Sequence, residues 1–127
     1  MYCVSYRFAL KSNNSETRRQ FIEVWSGITE FFRETCGALG SRLHYSEDGF
    51  FYAYAQWPSK DVMEESREVE PTDDFVKLRV KWAELSGPSQ VLWEGEVVAD
   101  MLAAPTPPAA ILNPLSSEPE APSAPTE

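Results

Sequence analysis

At 127 residues with a net charge of −9, the chain has the length of one domain and a surface that repels phosphate backbones. No window approaches the ~18 apolar residues of a membrane span, and the two cysteines lack the spacing of a zinc site or disulfide scaffold. Neither nucleic acid nor a membrane is an expected partner.

Cys3 and Cys36 read as reduced, buried thiols of a cytoplasmic protein, with a disulfide between them as the alternative. The N-terminus has no basic region followed by a long apolar run, so no signal peptide is expected. Every Trp, Tyr and Phe lies between Tyr2 and Trp93, which places the core there.

Tyr2 to Leu10 alternates in hydrophobicity, with Tyr2, Val4, Tyr6, Phe8 and Leu10 on one face, as a strand does. Ser12-Asn13-Asn14-Ser15 supplies short oxygen-bearing side chains that cap a helix start. From Glu16 to Cys36 the apolar residues Phe21, Val24, Trp25, Ile28, Phe32 and Cys36 recur every three or four positions, predicting an amphipathic helix that ends at Gly37.

Two strands follow, Ser41 to Glu47 and Phe50 to Trp57, around an Asp48-Gly49 hairpin signal. A two-residue loop pairs His44 with Ala53 and Arg42 with Ala55. Leu43, Tyr45, Tyr52 and Tyr54 then share one face; Arg42, His44, Phe51, Ala53, Ala55 and Trp57 share the other. A three-residue loop would reverse this division. Ser59 can cap a short helix from Lys60 to about Arg67, and Thr72 a longer one carrying Phe75, Leu78, Trp82 and Leu85. Gln90 to Ala99 reads as the last strand, with Val91, Trp93, Val97 and Ala99 alternating.

The domain is expected to span residues 1–102. Residues 103–127 hold seven of the ten prolines and form a Pro/Ala-rich tail, disordered or docked on a partner subunit through Ala109 to Leu112.

This β-α-β-β-α-β order predicts an α+β, ferredoxin-like domain with a four-stranded antiparallel sheet. Apolar residues on both faces of the hairpin call for cover on both. Helices cover one, and the sheet of a second copy is the simplest cover for the other, which predicts a homodimer.

The run Phe21 to Trp25, then Gly40-Ser41-Arg42-Leu43-His44, then Tyr54-Ala55-Gln56-Trp57-Pro58-Ser59, resembles the antibiotic biosynthesis monooxygenase-like group of the dimeric α+β barrel superfamily. The resemblance covers about Tyr2 to Asp100. It implies two sheets closing a barrel, last-strand arms exchanged between subunits, and a pocket in each monomer between sheet and helices. Some members oxygenate aromatic, quinol-like substrates without metal or flavin. Others degrade haem with an Asn on the first strand, a Trp ending the third and a His on the second helix. Trp57 matches that Trp, but the first strand has no Asn, and Leu78 and Arg79 stand where the His is expected.

His44, the sole imidazole, is a candidate to orient or deprotonate a phenol; its plainer reading is an edge histidine bonded to a backbone carbonyl. Arg42 and Arg7, beside small residues, are candidates to hold a carboxylate or an activated oxygen anion; equally, each can pair with Glu94 or Glu96. Trp57, Phe51, Trp25 and Tyr54 are candidate substrate-binding rings, against plain packing roles. No metal site is expected, because Glu64, Glu65, Glu68 and Glu70 have no accompanying His or Cys. The expectation is a cofactor-independent monooxygenase-like protein acting on a small aromatic molecule; the alternative is a non-catalytic dimeric binding module.

Overall fold

The computed structural model describes residues 1–103. The chain runs β1 (Tyr2–Phe8), α1 (Ser15–Thr35), β2 (Gly40–Tyr45), β3 (Phe51–Trp57), α2 (Lys60–Glu65), a 3-10 turn (Ser66–Glu68), α3 (Asp73–Leu85) and β4 (Gln90–Glu96). The strands lie in the order β2-β3-β1-β4, every neighbouring pair antiparallel. This is the α+β, ferredoxin-like sheet that the alternation of strand and helix patterns predicts. The tail from 104 onward, with its proposed docking segment, lies outside the described residues.

Each helix starts where a short oxygen-bearing side chain can accept from an otherwise unpaired amide. Asn14 Oδ1 accepts from Thr17 N–H at 2.9 Å, Ser59 Oγ from Val62 N–H at 3.2 Å and Thr72 Oγ1 from Phe75 N–H at 3.1 Å. Gly37, at φ 81°, turns the chain out of α1 so that Ala38 N–H returns to the Phe32 carbonyl at 3.0 Å. Thr72→Ala is expected to cost about 1 kcal/mol in urea unfolding through loss of the α3 cap.

The hairpin differs from its sequence expectation by one residue. Leu43 pairs with Ala53, His44 with Tyr52 and Tyr45 with Phe51. Ser46 N–H bonds the Phe50 carbonyl, leaving Glu47-Asp48-Gly49 as a three-residue loop. Gly49 sits at φ 87°, the left-handed position that closes such loops. Asp48 fixes the turn by accepting from Phe50 N–H at 3.0 Å and Tyr52 Oη at 2.6 Å, contacts that hold its carboxyl below the usual range.

Because cross-strand partners share a face, this slip exchanges the faces of β2. Ser41, Leu43 and Tyr45 now join Phe51, Ala53, Ala55 and Trp57 under the helices. Arg42 and His44 move to the outer face with Tyr52 and Tyr54. The outer face is therefore mixed rather than apolar throughout, since β1 adds Cys3, Ser5 and Arg7 to it. A second correction lies in β4, where the pairing skips Leu92 as a bulge. Val91 and Trp93 consequently point to opposite faces instead of sharing one.

Two core clusters fill the space between the helices and the sheet. One gathers Phe8, Phe21, Val24, Phe51, Ala53 and Leu85; the other gathers Tyr2, Val4, Cys36, Trp57 and Met63. Cys3 and Cys36 are both buried and free, as expected of reduced thiols. Among the described residues no helix is long and apolar enough to cross a membrane.

Candidate functional site

Between the two core clusters the helices and the sheet border a half-open cavity of about 760 Å³, within the size range of small-molecule sites. Its floor is the middle of the sheet. There Ala53 lies beside Tyr6 and Ala55 beside Val4, so two small side chains stand between the large Phe51 and Trp57 and leave a void. Its roof is aromatic: Trp25, Phe31 and Phe32 come from α1, Phe75 and Trp82 from α3. The rings brace one another, with Phe31 stacked on Phe75 at 4.1 Å between centroids and Phe32 edge-on to Trp57 at 5.9 Å. Arg67 of the 3-10 turn and Arg79 of α3 are exposed members of the lining and mark its mouth.

Two polar atoms distinguish the cavity from plain packing. Trp57 Nε1 and Ser41 Oγ are buried and have no hydrogen-bond partner, and both residues line the cavity. Trp57 is 6 % exposed, so bulk water does not compensate its indole N–H. An unmet buried donor costs about 1 to 3 kcal/mol, and native proteins seldom retain one without a purpose. Tyr6 adds a phenol whose ionisation burial pushes up, reinforced by Glu94 and opposed by Arg67. It stays protonated near neutrality and can donate.

The seven residues anticipated from sequence divide between separate places. Trp57 and Trp25 line the cavity. Phe51 does not; it is a core residue whose ring lies tilted against those of Phe21 and Tyr45. Arg7 lies on the outer face, donating to Gln90 Oε1 at 2.5 Å with its guanidinium 4.6 Å from the centroid of the Phe50 ring. It pairs with neither Glu94 nor Glu96; Glu94 instead accepts from Tyr2 Oη at 2.5 Å and pushes that phenol up to about 12. His44 is exposed on the outer face, away from Trp57. Arg42 and Tyr54 meet Trp25 in a smaller cleft of about 420 Å³ around the β2 edge, and the Tyr54 hydroxyl donates to Cys3 Sγ at 3.0 Å. The hairpin slip separates Arg42 and His44 from the cavity and brings Ser41 into it.

Ser41, Tyr6, Arg67 and Arg79 were not singled out from sequence. Ser41 follows once a three-residue loop is chosen, and Tyr6 belongs to the same β1 stripe as Phe8. Arg79 stands four residues after Phe75 and three before Trp82, the helical spacing that shares a face. Nothing in the sequence pattern marks Arg67. Among the described residues no group of three His, Cys, Asp or Glu side chains is placed to hold a metal ion.

No family model matches the sequence, and no curated protein matches it. Solved structures do. A mutant form of SnoaB, a cofactor-independent oxygenase from Streptomyces nogalater, is similar at 17 % identity and TM-score 0.60, over 79 % of this chain and 95 % of that one. The monooxygenase from the gene ActVA-Orf6 of Streptomyces coelicolor, in complex with the ligand nanaomycin D, is 23 % identical at TM-score 0.60, over 81 % and 92 %. Rv0793 from Mycobacterium tuberculosis is 17 % identical at TM-score 0.57, over 80 % and 98 %. At these identities the likeness establishes architecture, and the chain has the fold of the antibiotic biosynthesis monooxygenase-type structures.

Proposed function

We propose that the cavity binds a small aromatic, quinol-type molecule and that the protein is a monooxygenase-like enzyme that oxygenates it with dioxygen and no cofactor. The observation that carries this reading is the aromatic cavity with the unpartnered Trp57 Nε1 and Ser41 Oγ inside it. Flat rings offer dispersion contact to a flat ligand, and the two polar atoms fix its orientation through its oxygens. The similar oxygenases support the reaction class. A hydroquinol can supply the electrons itself: a ring C–H becomes C–OH, the ring is oxidised to the quinone, and the second oxygen atom leaves as water.

Trp57 is the donor to a substrate oxygen in this reading, and Arg67 and Arg79 offset negative charge as it develops. Oxygen uptake with a panel of naphthols, hydroquinones and anthrones tests it. Turnover of at least one of them is expected, with Trp57→Phe slowing it about tenfold, the worth of one hydrogen bond of ~1.4 kcal/mol. No uptake with any of them, together with no ligand binding, would reject the proposal.

The partner in this reading is a second copy of the chain. Trp93 on the outer face is 53 % exposed beside Tyr54, and Val98, Met101 and Leu102 beyond β4 are also exposed. Covering them against another subunit removes apolar surface from water. Sedimentation at micromolar concentration is expected to give a dimer, and Trp93→Glu a monomer. A wild-type monomer would contradict this assembly. Reduced buried thiols suit a cytoplasmic location.

A further inference from the structure

β2 is an edge strand, and the smaller cleft of about 420 Å³ lies between its open side and α1. The ladder bonds of an antiparallel pair alternate along each strand. Ser46 N–H bonds the Phe50 carbonyl at 3.0 Å, so the even-numbered residues of β2 face β3 and the Ser41 amide turns to the open edge. Gly40, at φ 131°, adds no side chain to the cleft, and a Cβ there would meet Arg33 Cδ at 3.6 Å, so the Arg33 stem runs over this backbone from α1. Arg42 reaches the same cleft from the outer face of the sheet.

These groups donate without being satisfied in return. Neither Arg33 nor Arg42 is in a salt bridge among the described residues, and Ser41 Oγ is buried with no hydrogen-bond partner. Glu30, one turn before Arg33, also lines the cleft and is likewise unbridged. Two guanidinium charges less one carboxylate leave a single net positive charge, which a monoanion matches and a dianion exceeds. Trp25 and the half-exposed Leu39 add apolar wall. Tyr54 offers its ring alone, because its hydroxyl donates to Cys3 Sγ at 3.0 Å.

We propose that this cleft is a second binding site, separate from the cavity, for a small carboxylate monoanion carried on a flat apolar body. A planar guanidinium fork fits the two oxygens of a carboxylate, and the Ser41 amide and hydroxyl add donors beside it. Ser41 and Trp25 form the partition, since both line the cavity as well. The Ser41 hydroxyl has one proton and two lone pairs, so donating to a carboxylate leaves it able to accept from a ligand on the cavity side.

Benzoate is the probe, with benzyl alcohol as its neutral analogue and phenyl phosphate as a dianion. Saturable benzoate binding is expected to shift the Trp25 indole signal and leave that of Trp57 in place. Benzyl alcohol and phenyl phosphate should each bind about tenfold more weakly or worse. Arg33→Gln and Arg42→Gln should each weaken benzoate about tenfold, the worth of one charge-assisted hydrogen bond. Both arginines are exposed, so the fold should persist in either variant. Arg79→Gln, at the mouth of the cavity, should leave benzoate affinity unchanged. A Trp57 shift together with weakened binding in Arg79→Gln would put benzoate in the cavity and overturn the second site. Equal affinity for benzyl alcohol, or no saturation by about 10 mM benzoate, overturns it as well. Tighter binding of phenyl phosphate overturns the monoanion assignment. None of these results bears on quinol turnover, so the two proposals fail separately.

Discussion

Phe21→Ala is expected to lower the unfolding free energy by about 3 to 5 kcal/mol, the usual cost of deleting a buried phenyl ring. Phe21 is 0 % exposed and is the point where both layers meet. Its ring lies 5.7 Å from Phe8 on β1, 5.0 Å from Phe51 on β3 and 4.8 Å from Trp82 on α3, measured between centroids. Elements this far apart in sequence cannot collapse independently around the hole, so little of the cavity cost is recovered. A domain stable by about 5 to 15 kcal/mol would come close to unfolding. Urea denaturation should show the midpoint falling with little change in slope. A loss under about 1 kcal/mol would mean that the layers are not held together at this ring.

The second large effect concerns binding. Ala55→Phe should fill the floor of the cavity, because the Ala55 side chain lies between Val4 and Ser41 on the covered face and the space above it is vacant. A ligand ring would then meet an overpacked site. Forcing extra atoms into filled space costs roughly 1 to 3 kcal/mol, so affinity for a quinol or nitrophenol should fall about tenfold to a hundredfold. Stability should hold or rise, since the new ring gains contacts in place of a void. Calorimetric titration beside a melting curve reads both quantities. Undiminished affinity in a folded variant would place the ligand elsewhere.

The elements were legible because their signals are local. Phe21, Val24, Trp25, Ile28 and Phe32 can share a face only on a helix, and Asn14, Ser59 and Thr72 each sit where a helix start needs an acceptor. The hairpin register was not legible, because Asp48-Gly49 suits a two-residue turn as well as the last two positions of a three-residue loop. The choice depends on which face of β2 the core accepts. Leu43 packs into the core cluster and Tyr45 against Phe51, whereas the alternative would bury Arg42 and His44 there. That tertiary preference decides the loop, and with it the fate of the candidate site.

The same reasoning explains which candidates reached the cavity. Trp57 and Trp25 lie on the faces that the periodicity of β3 and α1 turns inward, and both line it. The alternation of β1 puts Arg7 opposite Tyr6 and Phe8, and in the fold that is the outer face. Arg67 was invisible because its place in the lining depends on how the turn after α2 folds back over the sheet, which no periodicity encodes. The bulge at Leu92 was equally hidden: a single skipped residue leaves no compositional mark, yet it sends Trp93 outward.

The chain has four tryptophans, and their placement provides an internal control. Trp25, Trp57 and Trp82 line the cavity, and Trp93 stands on the outer face. An amide-proton NMR spectrum of nitrogen-15-labelled protein resolves the indole N–H of each. Saturation with a nitrophenol or a naphthohydroquinone kept under argon should shift the Trp57 signal downfield as it gains an acceptor, perturb Trp25 and Trp82, and leave Trp93 in place. Movement of Trp93 with Trp57 unchanged would put the ligand on the wrong side of the sheet and contradict a binding site between sheet and helices.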